Sequence, residues 1–162
     1  MAVSEEVVLI GANKQPNGLD FSASIGVAAF GASKTVALWH PFGKNGVFQT
    51  LKGHSKEVTG VKFVPGTDFL VSTAEDGNIL VWRNVVGTDN FELHQKISFH
   101  EGSICALAAG NHLFATGGVD GNIAVFALGL SDNTGNSNFE HIQTINIRKN
   151  FYATCLAFQE AY

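Results

Sequence analysis

The sequence is short of the residues that build the commonest special cases. Its 162 positions hold two cysteines, three prolines and one methionine. Cys105 and Cys155 each lie in an apolar, strand-like context, SICALA and ATCLAF. Two isolated thiols of this kind offer neither a disulfide framework nor a Cys-x-x-Cys site, and they suit a reducing intracellular compartment. Positive charge is scarce as well, with ten Lys and Arg against fourteen Asp and Glu and a formal net charge of −4. A nucleic-acid clamp needs Lys and Arg to neutralise phosphates, and the chain as a whole has no such surplus, although a local basic patch or a basic partner stays open. No Asn-x-Ser/Thr sequon occurs. The first residues carry Glu5 and Glu6 and no basic stretch followed by an apolar one, so no signal peptide is expected. No apolar run has the length of a membrane span, and no stretch of useful length repeats with helical period.

What is plentiful is glycine, at 18 residues, and phenylalanine, at 13. With 45% hydrophobic and 15% charged residues the chain can bury a core, and this mixture suggests short strands joined by tight turns. Three segments align with one another. They are VAAFGASKTVALW ending at Trp39, FLVSTAEDGNILVW ending at Trp82 and LFATGGVDGNIAVF ending at Phe126, with end points 43 and 44 residues apart. The Asp-Gly-Asn triplets at 76–78 and 120–122 are 44 residues apart, and His54 and His100 are separated by 46. A period near 44 matches four strands per propeller blade. In the second repeat the pattern predicts strands at Val58–Phe63, Phe69–Ala74 and Asn78–Trp82, with a fourth near His94–Ser98. Asp76-Gly77 would make the tight hairpin turn, since both residue types tolerate positive φ. Val7–Ile10 reads as a further strand, and Ser131–Asn138 (SDNTGNSN) as the longest loop.

The Gly53-His54 pair, followed by an Asp six residues before Trp82, resembles a WD repeat. That resemblance implies an all-β propeller and a buried hydrogen-bond chain from Trp to Ser/Thr to His to Asp. In this sequence the chain would comprise Trp82, Ser72, His54 and Asp76. The residue types suit it, because an indole N–H needs an acceptor, a hydroxyl accepts and donates, and an imidazole links to a carboxylate. The third repeat offers His100, Thr116 and Asp120, but Phe126 removes the indole donor. The first repeat keeps Trp39, has Ser33 where the Asp belongs, and lacks Gly-His. The expected division is a lead-in at 1–24, a partial first blade at 25–51, blade two at 52–98, blade three at 99–147 and the start of a fourth at 148–162. Closed propellers hold about four to eight blades, so the chain reads as an N-terminal piece of a longer propeller protein.

A narrower resemblance runs through nearly the whole chain. IGANKQ (10–15), AFGASKTVALWHP (29–41), GVFQTLKGH (46–54), VKFVPGTDFLVSTAEDG (61–77) and NFYATCLAF (150–158) are similar to the WD-repeat subunit of Elongator, most of all to its fungal forms. IGANKQ lies outside the generic repeat and is the more specific part. The resemblance implies a scaffold in a complex that modifies the C5 position of wobble uridine in tRNA. The chemistry there belongs to a radical-SAM, acetyl-CoA-using subunit, and the scaffold joins it to the largest subunit. For this chain it implies protein partners, tRNA contact only through them, no membrane, no cofactor and no catalytic residue. The expected location is the cytoplasm, with the nucleus as a second one. The alternative is a WD-repeat peptide-binding or signalling adaptor; a basic rim would favour it, and the rim candidates are mixed or acidic.

Other chemistry is weaker. His54, Asp76 and Ser72 have the residue types of a hydrolase triad, but Ser72 lies within an apolar strand and the repeat accounts for all three. The histidines at 40, 54, 94, 100, 112 and 141 show no zinc-ligand spacing. Gly31-Ala32-Ser33-Lys34-Thr35 lacks the Gly directly before Lys, and the following helix, that a phosphate loop needs. Lys56, Glu57, Glu75 and Glu101 are the candidates for a partner-binding rim, where propellers commonly carry function.

Overall fold

The computed structural model describes residues 12, 13, 15, 18–41, 46–129, 137–147 and 151–159. The strand expected at Val7–Ile10 and most of the Ser131–Asn138 loop lie outside the described residues. Among the described residues twelve strands form three four-stranded antiparallel sheets, and no helix occurs. The first sheet joins β1 (Leu19–Ser22), β2 (Val27–Ala32), β3 (Thr35–Trp39) and β4 (Val47–Lys52) in chain order. The second joins β5 (Val58–Phe63), β6 (Phe69–Ala74), β7 (Asn78–Asn84) and β8 (Phe91–Ser98). The third joins β9 (Ile104–Gly110), β10 (Leu113–Gly118), β11 (Asn122–Leu128) and β12 (Phe139–Asn146).

The register reproduces the sequence repeat. Trp39, Trp82 and Phe126 sit on β3, β7 and β11, opposite Ala28, Leu70 and Phe114. Each sheet has a register shift between its third and fourth strands at this level, between Leu38 and Trp39, Val81 and Trp82, and Val125 and Phe126. Gly77 and Gly121 close the β6–β7 and β10–β11 turns with φ of 76° and 79°, a backbone state that glycine enters without Cβ strain.

Each pair of neighbouring sheets shares a core. Val36, Leu38 and Leu51 of the first sheet meet Val58, Val61, Leu80, Trp82 and Phe91 of the second. Val71, Ile79 and Val81 of the second meet Ile104, Leu107, Phe114, Phe126 and Phe139 of the third. The central strand β6 is buried on both faces because both are covered, so simple alternation is lost there, whereas the outer strands β8 and β12 are mostly exposed beyond their first residue.

Two expected boundaries change. The first blade is not partial, since β1 lies inside the expected lead-in and pairs Leu19–Ser22 with Phe30–Val27. Its signal is weak because four residues, LDFS, are half-exposed with only two apolar side chains. At the other end residues 151–159 form no strand. They nevertheless occupy the place of a next first strand. A Cβ on Gly117 would meet Ala153 at 3.0 Å, just as one on the equivalent Gly31 would meet Val58 of β5 at 3.0 Å.

Candidate functional site

The polar chemistry of the interior is concentrated in the second and third sheets. Ser72, in the middle of β6, is fully buried. Trp82 on β7 donates its indole N–H to Ser72 Oγ at 2.9 Å, and Ser72 Oγ lies 2.8 Å from His54 Nε2. His54 Nδ1 lies 3.4 Å from Asp76 Oδ1. The direction of the chain follows from its end. An indole N–H only donates, so Ser72 accepts from Trp82 and gives its own proton to His54 Nε2, and His54 Nδ1–H points to Asp76. A protonated His54 would present a second donor to the same hydroxyl and leave the hydroxyl proton without an acceptor. Asp76 completes the structure outward, accepting the backbone N–H groups of Ser55 at 2.8 Å and Asn78 at 3.0 Å.

The electrostatics fit this arrangement. Burial pushes the His54 imidazole below its ordinary value, against the opposing pull of the Asp76 carboxylate. Burial acts to raise the Asp76 carboxyl, but the N–H groups of Ser55 and Asn78, together with His54, outweigh it and hold the group at about 2. Both shifts make acid destabilising. Below its unfolded value of 6.5 a buried His54 binds fewer protons than the unfolded chain does, so stability falls as pH drops from there. The Asp76 contribution is present above 3.8 and is lost as pH falls through about 2. Denaturant unfolding of the protein and of His54→Gln at a series of pH values should show a stability gap that narrows between roughly pH 7 and 5. A gap independent of pH would mean that the imidazole is not held neutral.

The third sheet repeats the device with different filling. His100 Nε2 lies 2.8 Å from Thr116 Oγ1, and Nδ1 lies 3.1 Å from both oxygens of Asp120. Asp120 accepts the backbone N–H groups of Glu101 and Asn122, which hold its carboxyl below the usual range although burial opposes them. Phe126 ends the chain without a donor. Its smaller ring is compensated by a change that pattern reading overlooks. In the second sheet Gly53 lies against the indole, where a Cβ would come 3.3 Å from Trp82 Cη2. In the third the residue before the histidine is Phe99, whose ring meets Phe126 edge-on at 5.7 Å and stacks on His141 at 4.9 Å. The signal was the pairing of Gly with Trp and of Phe with Phe across 29 and 27 residues, from 53 to 82 and from 99 to 126.

The first sheet uses another solution. Its β2–β3 turn is one residue shorter than the Asp76 and Asp120 turns, and Ser33 sits in the left-handed region at φ 54°. Asn13, from the IGANKQ stretch, grips that turn. Its Oδ1 accepts Ser33 N–H at 2.6 Å, and its Nδ2 donates to the carbonyls of Ser33 and Val58, each at 2.9 Å. An amide from the lead-in thus binds the exposed turn and fastens the first sheet to β5. Phe30 occupies the position of Ser72 and Thr116, so no hydroxyl faces Trp39 there.

The remaining candidates lie at the surface. Lys56, Glu75 and Glu101 are exposed and Glu57 is half-buried. They share one rim, because Glu75 N–H bonds the Glu57 carbonyl at 3.0 Å and Gly77 lies against the His100 carbonyl. A cleft of about 1090 Å³ opens among Asp20, Lys62, Gly66, Asp68, Arg83 and His112. Its cations are already engaged, Lys62 with Asp20 at 3.3 Å and Arg83 with Asp68 at 2.8 Å. Among the described residues no three of His, Cys, Asp and Glu are grouped to hold a metal ion. The geometry therefore supplies a rigid wall with a bonded interior and two broad faces.

Comparison with known proteins agrees with this architecture. The family model "WD domain, G-beta repeat" matches residues 46–83. Elongator complex protein 2 of Saccharomyces cerevisiae is 37% identical over 161 residues, which is 98% of this chain and 20% of the relative. Elongator complex protein 2 of Danio rerio is 31% identical over 103 residues, 60% of this chain and 12% of that protein. The crystal structure of Saccharomyces cerevisiae Sqt1 superposes with a TM-score of 0.72 at 17% identity, covering 86% of this chain and 39% of the other, a likeness of fold alone. The chain thus spans about a fifth of the yeast relative.

Proposed function

Since the chain is a WD-repeat protein similar to Elongator complex protein 2, we propose that it acts as a non-catalytic scaffold in Elongator, required for carboxymethyl-type modification at C5 of wobble uridine in tRNA. The similarity over 98% of the chain to the yeast protein carries this reading. The physical features support a scaffold. Ser72, His54 and Asp76, which have the residue types of a hydrolase triad, are spent on one another and on Trp82, with the hydroxyl fully buried. The sheets offer rigid, extended surfaces of the kind that hold other proteins. The net charge of −4 disfavours independent binding of tRNA. In this reading the chain meets the largest and the catalytic subunits, in the cytoplasm with the nucleus as a second location, and tRNA reaches it only through them.

The test is mass spectrometry of tRNA nucleosides from cells lacking the gene. Carboxymethyl-type uridines at the wobble position should be lost, and they should return when the gene is restored, while the catalytic subunit itself is unaltered. Unchanged levels would remove the Elongator assignment and leave a WD-repeat adaptor of other partners.

A further inference from the structure

The loop between β4 and β5 holds a serine whose hydroxyl the fold does not need. Ser55 directly follows His54, is exposed, and donates its hydroxyl proton to Asp76 Oδ2 at 3.2 Å. The same oxygen already accepts the backbone N–H of Ser55 at 2.8 Å. The third sheet shows which of these two bonds the turn requires. There the residue after the histidine is Glu101, which has no hydroxyl, and Asp120 is still held by the N–H groups of Glu101 at 3.1 Å and Asn122 at 3.0 Å. One position of the repeat is therefore a neutral hydroxyl in the second sheet and a carboxylate in the third.

The cations lie around the neutral position rather than the charged one. Lys52 and Lys56 stand three residues before and one residue after Ser55. Lys96 is opposite Leu80, which a Cβ on Gly53 would meet at 2.7 Å, and its charge acts on His54. All three lysines are exposed, and none pairs with a carboxylate among the described residues. In the third sheet the matching positions are Ser98, Gly102 and Thr144, without a cation among them. A dianion on Ser55 Oγ would give the lysines their missing partner. Lys52-Gly53-His54-Ser55 also has the charge pattern that a basic-directed protein kinase reads, a cation three residues before the acceptor. Two positions in the chain place Ser or Thr three residues after Lys or Arg, namely Ser55 and Thr59. Thr59 is buried in β5 against Thr73 at 3.2 Å, so Ser55 is the accessible one.

We propose that Ser55 is a phosphorylation site for a basic-directed protein kinase, and that Lys56 and Lys96 receive the phosphate. Ser55 Oγ attacks the γ-phosphorus of ATP, the bond to ADP breaks, and the hydroxyl proton passes to the carboxylate base of the kinase. The product adds about two negative charges to the rim that carries Lys56, Glu57 and Glu75, and so resets the charge this rim presents to a partner.

The test incubates the full chain with ATP and the catalytic subunit of cyclic-AMP-dependent protein kinase, and maps the product by tandem mass spectrometry. Phosphate should enter at Ser55, and Lys52→Gln should slow its entry by about tenfold. Ser55→Ala should fold as the parent does and take up no phosphate. In the modified protein the Nζ and Cε resonances of Lys56 and Lys96, read by NMR, should shift and follow the second ionisation of the phosphate. Those of Lys62, paired with Asp20 at 3.3 Å near the far end of β5, should stay where they are. The proposal is overturned if Ser55 takes no phosphate, if Lys52→Gln is modified as fast as the parent, or if the resonances of Lys56 and Lys96 do not respond. Phosphate on Thr59 in equal amount would show that the acceptor is an unfolded chain, and would overturn it as well.

Discussion

Gly118→Val is expected to destabilise the protein by about 3–5 kcal/mol, the largest effect of any single change considered. A Cβ at this position would overlap His100 Nδ1 and come within 2.7 Å of Asp120 Oδ1 and 2.9 Å of His100 Cγ. The imidazole cannot step aside, because Nε2 is held by Thr116 and one ring face meets Phe99 at 5.1 Å. Valine therefore forces apart a His–Asp pair whose imidazole is fully buried and whose carboxylate is 10% exposed. The matched control is Gly46→Ala, where an added Cβ meets nothing within 4 Å, and its effect should stay within about 0.5 kcal/mol. Denaturant titration of both variants decides the matter. A Gly118→Val protein within 1 kcal/mol of the parent, roughly the scale of an ordinary surface change, would show that the third sheet is not packed around this glycine.

Ser72→Ala is expected to cost about 2–4 kcal/mol, because it strands two buried polar groups at once. The Trp82 indole N–H loses its acceptor, and His54 Nε2 loses the hydroxyl proton that satisfies it. Trp82→Phe removes the donor along with its need, and should cost less, about 1–3 kcal/mol from the lost bond and the lost packing against Gly53. The two changes share a hydroxyl, so together they should cost less than the sum of their separate effects by more than about 0.5 kcal/mol. The third sheet shows that such an end is tolerated, since Thr116 and His100 persist beside Phe126. Additive costs would mean that the indole and the hydroxyl are independent and that the hydrogen-bonded chain stops at Ser72.

The second sheet was legible because its sequence keeps every local marker of the repeat. Asp76-Gly77 makes the turn, Phe69–Ala74 and Asn78–Trp82 carry the apolar pattern, and Gly53-His54 precedes β5. Positive φ at Gly77 and a donor-only indole at Trp82 are requirements that residue type alone can meet, so they are written where they act. The first sheet was less legible. Its innermost strand is four residues of LDFS, and its turn is held by an amide twenty residues away in sequence, from Asn13 to Ser33. No local pattern records a contact of that kind.

The sequence by itself determined the strand count per repeat, the position of Trp39, Trp82 and Phe126 on equivalent strands, and the residue types of the His–Asp pairs. Those features follow from backbone period, turn chemistry and hydrogen-bond capacity, which are properties of short segments. Only the tertiary structure decided that Phe99 fills the space left by Phe126, that Asn13 replaces the missing Asp of the first repeat, and that glutamines on outer strands reach across to the next blade. These depend on which side chains meet after the sheets pack, at separations of 20 to 44 residues. Shape and bonding across such distances are set by the whole arrangement of blades, so Gln49 and Gln95 meet the backbone of Phe91 and Phe139 although no short segment records those contacts.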